Sequence, residues 1–219
     1  MTSSPDAARE AILADVRAAL GRRSGETAPC VPDAARAPAR TPGCTDAEID
    51  LLVAEIARLG GQAQRMSAGE LPRGLAGLVQ REEIRKAVLW ETPALRSWDV
   101  AGIMTGLGIE IVPAHASKEA LAECDLGITG ADLALPETGT LVLRTGPARP
   151  RAASLLPRVH LALVQPNALR ADLATVLEEL KEDRHFVFVT GPSRTADIEL
   201  VVTVGVHGPQ VLAAWVVEG

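Results

Sequence analysis

The chain has 219 residues, a formal net charge of −6, three Trp, two Phe and no Tyr, and without a basic tract or a set of stacking aromatics it lacks the footprint for nucleic acid. Its hydrophobic fraction of 47% and charged fraction of 23% are ordinary globular usage, and its apolar runs stop short of the roughly 18 residues a spanning helix needs. Cys30, Cys44 and Cys124 are an odd number without CxxC spacing, which argues against a disulfide framework and against a zinc or iron–sulfur site built from this chain alone.

The opening stretch, "MTSSPDAAREAILADVRAAL", mixes acids with apolar residues instead of following a basic region with an apolar one. It therefore does not read as a signal peptide, and the cytoplasm is the default location. Ala8, Ile12, Val16, Ala19 and Leu20 form one helical stripe, with Pro5 and Asp6 as start signals and Gly21 as the stop. Residues 21–43, rich in Gly, Pro, Ala and Arg, read as a strap without periodic apolar positions.

From Thr45 the pattern becomes regular. Thr45 is the predicted N-cap and Glu48 the capping-box partner of a second helix, and "SAGELPRGLAGLVQREEI" predicts a third. "KAVLWE", "IEIVP" and "DLGITG" are predicted strands separated by helices over "SWDVAGIMTGLG" and "SKEALAEC". "GTLVLR" and "VHLALVQ" continue the strands, followed by a helix over "NALRADLATVLEELKED" with Asn167 as cap. "HFVFVT", "ELVVTVG" and "QVLAAWVVE" complete the set. Short continuous apolar strands alternating with helices predict an α/β fold with a mainly parallel sheet covered on both faces. The last three strands lack long helices between them, which predicts an antiparallel edge.

Three stretches could carry chemistry. In "VFVTGPSRTADIE" the predicted order is strand, Gly-Pro turn and helix start. Ser193 or Thr195 would cap that helix, and Arg194 beside its N-terminus would favour a phosphate or carboxylate. Asp197 and Glu199 fit the first turn for structural reasons alone, and His207 follows on the loop "GVHGP", where it could act as acid, base or anion partner or be a hydrogen-bonded structural residue. In "GITGADLALPETGTLVLR" the loop residues Glu137, Thr138, Gly139 and Thr140 suit either a nucleophile or general base with supporting hydroxyls, or a polar turn. In "RPRAASLLPRVH" Arg149, Arg151 and Arg158 could gather an acidic ligand oriented by Ser154 and His160, or lie solvated on the surface. No GxGxxG, GxxxxGK[ST], HExxH or GxSxG pattern occurs, and His115, His160, His185 and His207 lack metal-ligand spacing, so no metal site is expected.

"ETGTLVL", "R..SLLP..H", "GPSRTADIE" and "GVHGP", in that order between Glu137 and Pro209, resemble the lactate utilization protein C family, which carries the LUD domain. The resemblance implies a fold like that of the ribose-5-phosphate isomerase and CoA transferase superfamily, here as a LUD-like domain over residues 44–219 with an N-terminal helix and strap over 1–43. It implies a part in the oxidation of L-lactate to pyruvate, beside an iron–sulfur oxidoreductase subunit and an iron–sulfur LUD partner. Lacking cysteine clusters, this chain resembles the cluster-free component, and nothing in it identifies a cofactor. The first expectation is an accessory component that binds a small carboxylate or phosphate, through Gly191, Ser193, Arg194, Thr195, Asp197 and His207 with the Glu137–Thr140 loop and Arg151. An enzyme of CoA-transferase type using Glu137 is the second. A structural or assembly subunit, whose N-terminal arm clasps another chain, is the third, and self-association is left open.

Overall fold

Strands whose successive residues are all apolar must be covered on both faces, and such strands meet in the larger of two units, Ala39–Gly219. The computed structural model describes residues 5–21, 40–196 and 202–219. In the smaller unit, Met1–Pro38, helix α1 (Pro5–Ala19) carries the exposed side chains of Ile12 and Val16. The larger unit begins with α2 (Thr45–Arg58), β1 (Gln62–Ser67), α3 (Leu71–Arg81), β2 (Lys86–Leu89), α4 (Pro93–Ser97), α5 (Val100–Gly106), β3 (Glu110–Val112) and α6 (Lys118–Ala122). It continues with β4 (Leu126–Ala131), β5 (Leu133–Leu135), β6 (Thr140–Arg144), β7 (Val159–Val164), α7 (Leu173–Leu180), β8 (Phe186–Val189), β9 (Arg194–Ala196), β10 (Val202–Val204) and β11 (Val211–Glu218).

The central sheet has six strands in the order β1-β11-β7-β4-β2-β3, and all neighbouring pairs are parallel. Alternate residues face opposite layers. On β7, Leu161 and Leu163 pack with Leu75 and Leu78 of α3 and Met104 of α5, whereas Ala162 and Val164 pack with Ile49, Leu52 and Ile56 of α2. Each of these large side chains is fully buried, and each such burial contributes about 1.5–3 kcal/mol. A three-stranded antiparallel sheet, β5-β6-β8, adds a second layer, with Leu141 in the α2 cluster and Val142 packed with Val176 and Leu180 of α7.

The expected α/β architecture with a mainly parallel sheet is present. Four local expectations differ. Of the last three expected strands, β8 and β10 do pair antiparallel, with β6 and β9, but β11 lies between β1 and β7, parallel to both, with Leu212 to Val217 all buried. Helix α2 is preceded by Cys44 at the N-cap, with Thr45 inside the helix, and Glu48 accepts from Gly43 N at 2.7 Å and from Arg40. Helix α7 is capped by Asp172, which accepts from Thr175 N at 2.8 Å, while Asn167 lies in a 3-10 turn over Pro166–Ala168. After "GPS" the chain forms strand β9 rather than a helix, paired antiparallel with β10 so that Thr195 faces Thr203. β-Branched residues on both strands favour that pairing over a helical turn.

Candidate functional site

Between the central sheet and the end of β8 lies a cavity of about 160 Å³, lined by Ser154, His160, Thr190, Gly191, Ser193 and His207 among others. His160 is the second residue of β7, in register with Gly127 of β4 and Leu212 of β11. A Cβ at Gly127 would lie 1.8 Å from the Ala153 carbonyl oxygen, so the 3-10 turn Arg151–Ser154 presses on the β4 backbone and brings Ser154 to the cavity. The far wall comes from Val187 to Thr190 and the turn that follows β8. Ser193 is fixed through its backbone, donating to Pro209 O and accepting from Gly205 N, both at 3.0 Å, and this ties the "GPS" turn to the loop that carries His207.

His160 is 1% exposed. Its Nε2 lies 2.8 Å from Thr129 Oγ1, itself fully buried, and its Nδ1 has no hydrogen-bond partner. Burial disfavours the imidazolium and pushes the His160 pKa down to about 4, so the ring is neutral at pH 7. A buried, unpartnered ring nitrogen costs about 1–3 kcal/mol and is uncommon unless a water or ligand completes it. Among the described residues no Asp, Glu, Lys or Arg lines the cavity. A guest would therefore be held by hydroxyls, backbone N–H groups and imidazoles.

All three stretches singled out by sequence meet here: Ser154 and His160 of the third and Gly191, Ser193 and His207 of the first line the cavity, and the second reaches it through hydroxyls. Thr138 Oγ1 and Thr140 Oγ1 are 2.8 Å apart, Thr140 Oγ1 and Thr190 Oγ1 are also 2.8 Å apart, and Thr190 lines the cavity, so a row of hydroxyls joins "ETGT" to "TGPSRT". The glycines seat a helix. Gly139 (φ +62) and Gly191 (φ +86) adopt left-handed backbone, and a Cβ would come 2.9 Å from Ile56 N at the first and 3.2 Å from Leu59 Cβ at the second.

Arg194 donates to the Leu59 carbonyl at the C-terminal end of α2. The expected position beside a helix N-terminus is thus corrected to a helix C-terminus, where a cation favours the carbonyl end of the dipole. Thr195 lies within the β9–β10 pair, and Asp197 and Glu199 fall outside the described residues. Glu137 is exposed on a 3-10 turn and does not line the cavity. Its charge raises the pKa of Arg40 slightly, after the larger effect of Glu48. Arg151 is exposed, and its carbonyl accepts from Ser154 Oγ at 2.9 Å. The arginines of the third stretch do not gather: Arg149 pairs with Asp132 and Arg158 with Glu82. Thr129 and Thr190 also belong to the site, although neither is among the residues that the sequence patterns single out.

Among the described residues no group of three His, Cys, Asp or Glu is placed to hold a metal. Cys44 is exposed, and burial pushes the Cys124 thiol up to about 11, which keeps it protonated.

The family model of the LUD domain matches residues 52–217, from the middle of α2 to the end of β11. The chain belongs to the LUD domain family. Lactate utilization protein C of Halalkalibacterium halodurans is 27% identical over 75% of this chain and 76% of that protein. Lactate utilization protein C of a Geobacillus species is 28% identical over 75% of each. A crystal structure of a DUF162 family protein from Deinococcus radiodurans superposes with a TM-score of 0.62, covering 81% of this chain and all of that one at 22% identity, which shows that the fold is shared. The LUD match takes in both sides of the cavity, the β7 residue His160 and the turns around Ser193 and His207.

Proposed function

We propose that this LUD protein serves L-lactate utilization as an accessory component that binds a small carboxylate, with lactate and pyruvate as the leading ligands, while iron–sulfur subunits supply the electron acceptor. Oxidation of a 2-hydroxy acid requires an acceptor for two electrons, and that chemistry belongs to a cofactor rather than to ordinary side chains. Relatives named for lactate utilization over most of their length support the pathway. The observation that carries the binding role is the cavity itself, where Ser193 and His207 line one space with a buried His160 that has a free Nδ1.

The carboxylate would take the Ser193 and His207 end, and the 2-hydroxyl or 2-keto oxygen would face His160 and Ser154. The cavity has room for a molecule of a few non-hydrogen atoms. Arg194 is outside this reading because its guanidinium is held at Leu59.

The test is thermal unfolding of the full chain with L-lactate, pyruvate, inorganic phosphate and CoA. Ligand at 100 times its dissociation constant stabilises by about 2.7 kcal/mol. A saturable rise in Tm with L-lactate or pyruvate, lost in His207→Ala and kept in Arg194→Ala, is the expected result. Equal response in wild type and His207→Ala, or none to either acid, would overturn it.

A further inference from the structure

We propose that the LUD domain has a second ligand site, a cleft at the carboxyl ends of β2, β4 and β7 in which Arg149 receives the phosphate or carboxylate group of an extended polar metabolite. Where neighbouring parallel strands end, their loops diverge and leave a crevice, and open α/β sheets bind ligands on that side. Here the loops after three adjacent strands frame a cleft of about 590 Å³, well over three times the volume of the cavity beneath β8. It lies at the opposite ends of the strands from His160, which is near the start of β7.

Arg149 is held in position by contacts that leave most of its donors free. Its loop is closed by two backbone hydrogen bonds between Gly146 and Arg149, each 3.0 Å. Its guanidinium carbon lies over the Trp90 ring, 5.9 Å from the centroid, and the Trp90 Nε1 donates to Pro150 O at 3.0 Å. One N–H donates to Asp132 at 2.8 Å, and the other Asp132 oxygen is taken by Arg144 N at 2.7 Å, so the carboxylate is itself anchored. A guanidinium has five N–H donors, and among the described residues Arg149 uses one of its side-chain donors. A third of the side chain is exposed, and the residue lines the cleft. Asp132 and Trp90 orient the planar fork, and its unused edge suits the bidentate geometry of an oxyanion.

The rest of the lining suits a polar guest. Gln165 and Asn167, on the loop after β7, are exposed, and their side-chain amides make no hydrogen bond among the described residues. Thr92, on the loop after β2, adds a hydroxyl. Asp132 and Glu91, the latter paired with Arg96, offset positive charge in the lining, and Arg170 is paired with Glu179, so recognition rests on the shape of the Arg149 fork as much as on its charge.

The experiment is isothermal titration of the full chain with inorganic phosphate and, separately, succinate, with tryptophan emission as a second readout at Trp90. One of the two probes is expected to bind saturably, with half-saturation at about 1 mM or below, and the probe that binds identifies the group as phosphate or carboxylate. Arg149→Lys keeps the charge and removes the fork, and should weaken binding by about fivefold or more. His207→Ala should leave it unchanged, which separates this site from the cavity beneath β8. Absence of saturable binding by either probe, a smaller loss in Arg149→Lys, or dependence on His207 would overturn the proposal. Should Arg149→Lys fail to fold, the exposed pair Gln165→Ala/Asn167→Ala decides: unchanged affinity overturns it, and weakened affinity with an unaltered unfolding midpoint supports it.

Discussion

Nε2 of His160 lies 2.8 Å from the hydroxyl of Thr129 inside the sheet interface, while the other ring nitrogen has no partner. The ring is therefore retained in its neutral form by the fold. An unfolded histidine titrates near 6.5 and this one near 4, so between those values the unfolded chain binds more protons, and stability falls as the pH falls. The contribution is fully present above about 6.5 and lost progressively towards 4. Denaturant titration should show wild type losing about 2 kcal/mol more than His160→Gln on going from pH 7 to pH 5. Parallel pH profiles of the two proteins would refute this.

Arg40 and Glu48 form a two-pronged pair, each prong 2.8 Å, with the carboxylate 6% exposed. The Arg40 hydrogen bonds hold the Glu48 carboxyl below its ordinary range, ahead of the opposing effect of burial. Its stabilising effect is present above about pH 4.5 and is lost as the pH drops through the lowered value, a window below that of His160. Glu48→Ala removes the acceptor, leaving Gly43 N unpaired and Arg40 with the Ala171 carbonyl, 3.2 Å away, in place of a carboxylate. A loss of about 2–3 kcal/mol in urea unfolding is expected, because the arginine is partly solvated.

Gly127 and Gly77 should respond to alanine with opposite signs. At Gly127 the new methyl would meet the Ala153 carbonyl oxygen at 1.8 Å, backbone against backbone. Gly127→Ala is expected to cost about 3 kcal/mol or more, and to abolish ligand stabilisation at the neighbouring cavity. In the middle of α3, a Cβ on Gly77 meets nothing within 4 Å. Gly77→Ala should raise stability by about 0.5–1 kcal/mol. Unfolding midpoints of both variants check the pair.

Asp172 caps α7 through Thr175 N, and Asn167 does not. Asp172→Ala should cost about 1 kcal/mol, whereas Asn167→Ala should stay within about 0.5 kcal/mol of wild type. A comparable loss at Asn167 would show that the 3-10 turn supports the helix more than its hydrogen bonds indicate.

The buried strands and the long helices were legible because their apolar positions repeat with the period of the element, as in "VHLALV" and "TDAEIDLLVAEIAR". β1 was not, because as an edge strand it buries Met66 and otherwise reads "QAQRMS". The direction of β11 was hidden for another reason: it is set by pairing with β1 and β7, which no local pattern encodes. At "GPSRTA" the capping residues suggest a helix start, whereas Arg194–Ala196 form β9, paired antiparallel with β10.

The site was partly legible. Gly191, Ser193 and His207 do line one cavity, and the "ETGT" hydroxyls do reach it through Thr190. Thr129 was missed, although a signal was present. It is the polar side chain in the otherwise apolar "LGITGA", as His160 is in "VHLALV", and polar groups inside buried strands need each other. Arg194 was read by its charge, yet its partner is a main-chain carbonyl distant in sequence, at Leu59.

β11 occupies an interior place in the sheet although it is the last of the described strands, and β1, the first of them, touches the sheet through β11, with Gln62 opposite Ala213. During translation, β1 has no neighbour to pair with until residues 211–218 have cleared the ribosome. Until then the newly made chain exposes the edges of β1 and β7, a state open to chaperones and to aggregation. Formation of the native sheet is consequently governed by the closure of a very long loop, from β1 to β11.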